Sequence, residues 1–114
     1  MAQLREPTYY ILASLIDEPR HGWGIVQEAA ELSQGRIRLT AGTLYGALDR
    51  LQTEGLVEQD REEIVNGRCR RYYCLTALGQ RLLQEEAARL AASAQIVNER
   101  LSSIRPRETQ GATS

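Results

Sequence analysis

Between Leu4 and Asp17 the apolar and small residues recur at helical spacing, with Leu4, Thr8, Ile11, Leu12 and Leu15 on one face. Pro7 suits the first turn of that helix, where a missing N–H costs nothing, and Asp17, Glu18 and Pro19 end it. After a break at His21 and Gly22, a second helix is expected from Trp23 to Leu32. Trp23, Val26, Ala30 and Ile25 would face inward, and Gly35 would stop it. The run Arg36, Ile37, Arg38, Leu39 alternates polar and apolar, which predicts a very short strand. Thr40 is a natural N-cap for a third helix reaching about Glu54, and Gly55 closes it. Its buried stripe is Leu44, Leu48 and Leu51, with Ala41 and Ala47 at the edges. The opposite face carries Gly42, Gly46 and Asp49, flanked by Thr43, Tyr45 and Arg50. That face is small and polar, a surface that another molecule can approach closely.

Two strands are expected next, Leu56 to Val65 and Arg68 to Leu75. The Asn66-Gly67 pair between them is the strongest short-range signal for a two-residue hairpin. Arg68, Arg70 and Arg71 cluster beside that turn. Thr76 caps a last helix that continues to about Arg105, where Pro106 stops it; the polar tail 106–114 is expected to be disordered.

Along the last helix Leu83, Leu90, Val97 and Ile104 are seven residues apart, and Ala87, Ala94 and Leu101 repeat at the same interval. This is the a/d seam of a coiled coil, with alanines that allow close approach of a second helix. The helix is longer than the preceding domain can cover. Leu83, Ala87, Leu90, Ala94, Val97 and Leu101 are therefore expected to form a homodimer interface, the other possibility being a helix folded back over its own domain.

Composition narrows the chemistry more than it widens it. The 114 residues are 42% apolar and 25% charged, ordinary for one soluble globular domain. No apolar run approaches the ~20 residues of a membrane span, and Met1 to Arg20 lacks the layout of a signal peptide, so a cytoplasmic location is expected. One histidine and two cysteines, Cys69 and Cys74, leave little material for a metal cluster or a nucleophilic triad. No glycine-rich phosphate loop is present. The adjacent carboxylates Glu62-Glu63 and Glu85-Glu86 point in different directions in either a strand or a helix. Neither an enzyme nor a cofactor is expected. All 14 basic residues are arginine, and the net charge of -1 hides an uneven distribution. Residues 1–35 hold two arginines against five acids, 36–50 hold three against one, and the hairpin tip adds three more.

Three helices, a tight hairpin and a basic hairpin tip make a mainly α fold with a small β-hairpin (α+β), a winged helix-turn-helix at 1–75. The 76–105 helix is then a dimerisation appendage. In that fold the third helix enters the DNA major groove and the wing lies along the backbone. Thr40, Gly42, Thr43, Tyr45 and Arg50 on the helix, with Arg68, Arg70 and Arg71 on the wing, are the expected DNA-binding residues. The glycines permit close approach, Thr43 and Tyr45 donate to phosphates or base edges, and the arginines take phosphates or the minor groove. Two other readings stay open. Cys69, among arginines, would suit a thiol redox switch; it and Cys74 face opposite sides of a strand and cannot easily pair with each other. Alternatively, Glu58, Asp60, Glu62 and Glu63 on the first wing strand suit a protein-interaction adaptor that binds no DNA.

Three segments carry a resemblance. Residues 4–12, Leu-Arg-Glu-Pro-Thr-Tyr-Tyr-Ile-Leu, followed by His-Gly-Trp-Gly-Ile at 21–25, resemble the opening of PadR-family transcriptional regulators. Thr40 to Leu51 is similar to their recognition-helix motif, and Gly67 to Gly79 to their wing and its exit into the last helix. The resemblance covers about residues 4–105 and implies a dimeric repressor, bound to a palindromic operator and released by a small-molecule effector, aromatic or drug-like. The chain resembles the short subfamily with a single C-terminal helix. Trp23 stands where the family usually has tyrosine, which implies the same packing role. The last helix has no aromatic residue, so the aromatic drug sandwich of some short relatives is not implied.

Overall fold

The computed structural model describes residues 4–104. Helix α1 spans Glu6–Ala13, strand β1 Arg20–His21, α2 Gly22–Leu32, α3 Ala41–Thr53, β2 Val57–Val65, β3 Arg68–Leu75 and α4 Ala77–Ser102. The strands form one antiparallel sheet in the order β1-β3-β2. Two units divide the chain within α4, Met1–Gln84 and Glu85–Ser114.

Local chemistry sets most of these boundaries. Thr40 caps α3 by accepting the Thr43 N–H at 3.2 Å. At the other end Gly55, at φ 78°, donates to the Gln52 carbonyl while Leu56 donates to Leu51. That is a Schellman stop built on glycine. Helix α2 ends in the same motif, with Gln34 at φ 56° donating to Glu31 and Gly35 to Ala30. Asn66 and Gly67 both have positive φ, 53° and 76°, and join Val65 to its partner Arg68 as a two-residue primed turn. Between Gln59 and Arg61 the ladder carries a bulge at Asp60. Thr76 holds the start of α4, accepting from the Gly79 N–H at 3.0 Å and donating to the Gly55 carbonyl at 2.6 Å.

The core of the first unit is aliphatic. Ile11, Leu12 and Leu15 from the α1 segment meet Ile25 of α2, Leu44, Leu48 and Leu51 of α3, and Leu56, Val57 and Tyr73 of the sheet. Fully burying an aliphatic side chain of this size contributes about 1.5–3 kcal/mol. The expected stripes of α1 and α3 are both present, except that Leu4 is only partly buried and Ala41 is exposed.

Four expectations need correction. Helix α1 ends at Ala13 rather than Asp17; Leu15 remains buried from the turn that follows. Helix α2 begins one residue earlier than expected and turns Gly22, Ile25 and Ala29 inward, leaving Trp23 64% exposed. Arg36 to Leu39 form no strand, because the backbone there turns off the Schellman motif and the Ile37 N–H is satisfied by the Ser33 hydroxyl at 2.9 Å. The third strand is instead Arg20–His21, paired with Tyr73 and Tyr72. Finally, Leu83 lies in the core, 6% exposed, and so is occupied within its own chain. Helix α4 ends at Ser102; Arg105, Pro106 and the tail lie outside the described residues.

Candidate nucleic-acid interface

The solvent face of α3 is as the periodicity predicts: Gly42, Thr43, Tyr45, Gly46, Asp49 and Arg50 are all exposed. Among the described residues, no atom beyond the chain neighbours and the helix's own backbone lies within 4 Å of where a side chain would start at Gly42 or Gly46, so that face is open to close approach. Thr43 receives the Thr40 hydroxyl proton at 3.0 Å, a bond that presents both hydroxyls at the helix start. Tyr45 is half exposed, and its phenol end rests on Gly22 of α2. The phenol end is therefore in contact with α2 while about half of the residue remains exposed. Arg50 reaches back to the Thr8 hydroxyl at 3.5 Å, a long contact that leaves the guanidinium available.

Between the starts of α2 and α3 and the wing lies an open cleft of about 520 Å³. Its lining includes His21, Gly22, Trp23 and Tyr45 on one side, and Val65, Asn66, Arg68, Cys69, Arg70 and Arg71 on the other. Among the described residues no carboxylate lines it. Cross-strand pairing explains how the wing arginines are held: Arg71 sits opposite Glu62 with an ion pair at 3.4 Å, and Arg70 sits opposite Glu63. Among the described residues Arg68 and Arg70 have no ion-pair partner.

His21 caps α2 by accepting the Gly24 N–H on Nδ1 at 3.3 Å, and its ring meets Tyr72 edge-on. Partial burial, and then the Arg70 charge, hold its pKa below the ordinary histidine value, so the neutral cap-accepting form is favoured. Tyr72 in turn lies under the Arg61 guanidinium, 3.9 Å from its ring centre, and donates to Glu63 at 3.0 Å. Burial raises the Tyr73 phenol, with Tyr45 and Asp49 of α3 adding to the shift. The two cysteines occupy different registers of β3, Cys69 opposite Ile64 and Cys74 opposite Glu58. Cys69 is exposed, whereas burial and the charges of Glu58 and Asp60 push the Cys74 thiol up.

Residues 11–85 match the model of the transcriptional regulator PadR-like family, about two thirds of the chain. The chain belongs to that family. This PadR-like chain is 38% identical over 77 residues to the transcriptional regulator Rv3488 of Mycobacterium tuberculosis, covering 68% of each. It is 43% identical over 81 residues to a 37.1 kDa protein in transposon TN4556 of Streptomyces fradiae, where the match spans 71% of this chain and only 22% of that protein. Among solved structures, Bacillus subtilis PadR in complex with operator DNA superposes with a TM-score of 0.63 at 24% identity, over 71% of this chain and 47% of that one. The chain has the winged-helix architecture, α+β with a long C-terminal helix, of its PadR-like structural neighbours.

In the second unit the α4 residues expected at a dimer seam are Ala87, which is half-buried, and Leu90, Ala94, Val97 and Leu101, which are exposed. Trp23 is the one residue of the cleft that sequence reasoning assigned to the core. Among the described residues no helix is long and apolar enough to cross a membrane.

Proposed function

We propose that this PadR-like regulator is a homodimeric, sequence-specific DNA-binding protein that represses transcription from a palindromic operator. The observation that carries the reading is the pairing of an open, small-residue face on α3 with a carboxylate-free cleft rimmed by the wing arginines. A helix whose backbone can approach base edges and a basic hairpin beside it are what major-groove insertion with backbone clamping requires. The relative crystallised with operator DNA lends the same fold to the same task. Dimerisation through α4 is supported by its exposed Leu90, Val97 and Leu101, a stripe at heptad spacing that a lone chain leaves in water. Two copies related by a two-fold axis would read two half-sites, which is why the operator is expected to be palindromic. Release by a small molecule, aromatic or drug-like, completes the reading.

The decisive test is a titration of DNA upstream of the protein's own gene, at several salt concentrations, followed by fluorescence anisotropy. Tight binding to one segment, weaker binding to random duplex and a steep salt dependence support the proposal. Salt-insensitive or absent binding refutes it. The adaptor alternative is weakened by the wing's own pairing. Asp60 and Glu63 engage Arg61, and Glu62 engages Arg71, which among the described residues leaves only Glu58 of the four carboxylates without an ion pair.

A further inference from the structure

Trp23 takes no part in the buried core of the first unit. It occupies the first turn of α2, is 64% exposed, and lines the cleft opposite the wing. An indole left in water exposes a large apolar surface, and its one polar atom is a donor only. Every charged group lining the same cleft is an arginine, and His21 and Asn66 supply the remaining polar side chains there apart from the Tyr45 phenol and the Cys69 thiol. A flat aromatic face, a single N–H donor and three guanidiniums make a site for a chain that is both anionic and carries flat or apolar sugar and base surfaces. That is the chemistry of a nucleic-acid strand, not of a bare anion. A free phosphate would use the arginines and leave the indole idle.

We infer that Trp23 is a DNA-contacting residue. The sugar–phosphate strand that enters the cleft packs a deoxyribose against the indole, while Arg68, Arg70 and Arg71 take the flanking phosphates. This rests on the DNA-binding reading above and adds a contact to it that is apolar and therefore insensitive to salt. The contact carries no base information; it fixes where the backbone lies when α3 enters the groove. Because the indole is exposed, its removal leaves the domain's core intact.

Trp23 is the chain's only tryptophan, so its emission reports on this one position. The full-length protein is titrated with duplex DNA from its own upstream region while tryptophan emission and acrylamide quenching are recorded. Bound DNA is expected to change the emission and shield the indole from acrylamide. In parallel, anisotropy compares Trp23→Ala and Trp23→Phe with the unmodified protein. The alanine variant should bind about tenfold more weakly, as loss of one aromatic contact to nucleic acid implies. Its salt slope should be unchanged, because an indole releases no counterion. The phenylalanine variant should recover most of the affinity. If the unmodified protein binds DNA with its emission and quenching unaltered, and Trp23→Ala binds equally well, the inference is overturned and the DNA-binding reading survives. If no form of the protein binds DNA, the functional reading itself has failed.

Discussion

A substitution at Gly22 tests how the recognition helix is held. A Cβ at this position would overlap the Tyr45 hydroxyl, lie 2.9 Å from Cζ of the same ring and 3.4 Å from a Leu44 methyl. Gly22 is buried, so the added methyl cannot swing into solvent. Two outcomes compete. If the α2–α3 packing yields, overpacking costs about 1–3 kcal/mol. If the half-exposed Tyr45 ring yields, most of that cost disappears but the ring leaves its seat on α2. In the Tyr45→Ala background the obstacle is gone, and Gly22→Ala should be neutral or slightly favourable because alanine is the better helix former. Where the packing yields, the coupling between the two sites is expected at about 1 kcal/mol or more in a double-mutant cycle; where the ring yields, it is small and the loss shows in DNA binding. The coupling is measured by urea denaturation of the four proteins. For a domain of this size about 1 kcal/mol moves the thermal midpoint by roughly 4–8 °C, which is well resolved. Gly22→Ala should also weaken DNA binding, because the displaced ring lies on the exposed face of α3. A Gly22→Ala penalty that is the same with or without Tyr45, together with unchanged DNA binding, would refute the packing.

Further outcomes follow from the charges, the helix cap and the seam. Replacing Arg68, Arg70 and Arg71 by alanine should weaken binding to specific and random DNA alike and flatten the salt slope by roughly two to three units; an unchanged slope would mean the wing is not on the backbone. His21 has a pKa lowered by burial and Arg70, so the unfolded chain takes up its proton first as pH falls. Stability should be complete above pH about 6.5 and decline below it. His21→Asn keeps a cap acceptor without titrating and should flatten that decline in urea melts at pH 7.5 and 5.5; an unaltered pH profile would rule His21 out as its source. Leu90 is 41% exposed in the single chain, so Leu90→Glu should leave the helix intact and yield monomer in sedimentation velocity. A dimeric variant would show the seam to be misplaced.

What the sequence made legible was whatever a few neighbouring residues decide. The Thr40 cap, the Gly55 stop, the leucine stripe of α3 and the Asn66-Gly67 turn each depend on local geometry, and all four are present. The misses have the opposite character. Strand β1 has two residues and no periodicity; only its pairing with Tyr72 and Tyr73, some fifty positions away, makes it a strand. The alternation at Arg36 to Leu39 was real, since Ile37 and Leu39 are half-buried and the arginines exposed, but no partner strand lies beside it. Trp23 misled because hydrophobicity drew it to the core, while the inward slot belongs to Gly22, a residue with no side chain to signal it. Leu83 fits the heptad spacing equally well whether its partner is the core or a second chain; spacing alone could not separate them.

The same distinction between local and tertiary pairing decides which arginines can serve DNA. A net charge of -1 makes the protein an unpromising polyanion binder on average, so affinity depends on guanidiniums without internal partners. Arg36 is taken by Glu6 of α1, Arg20 by Glu18 and Glu28, and Arg89 by Glu86. At the cleft Arg71 is the one tied residue, held by Glu62, whose carboxyl is kept below its usual range by the Gln59 amide, the Cys69 thiol and Arg71 itself. Glu62→Gln removes the one negative charge that competes with a phosphate for Arg71, and the amide can still bond to the strand's neighbours. Affinity for both specific and random duplex should rise, and the salt slope should steepen by up to about one unit as Arg71, no longer shared with Glu62, engages phosphate fully. The gain should vanish in an Arg71→Ala background, which makes the pair a second double-mutant cycle read in binding rather than stability. Equal affinity and slope for Glu62→Gln and the unmodified protein would mean that Arg71 faces no phosphate, and the backbone track would then have to be redrawn through Arg68 and Arg70 alone.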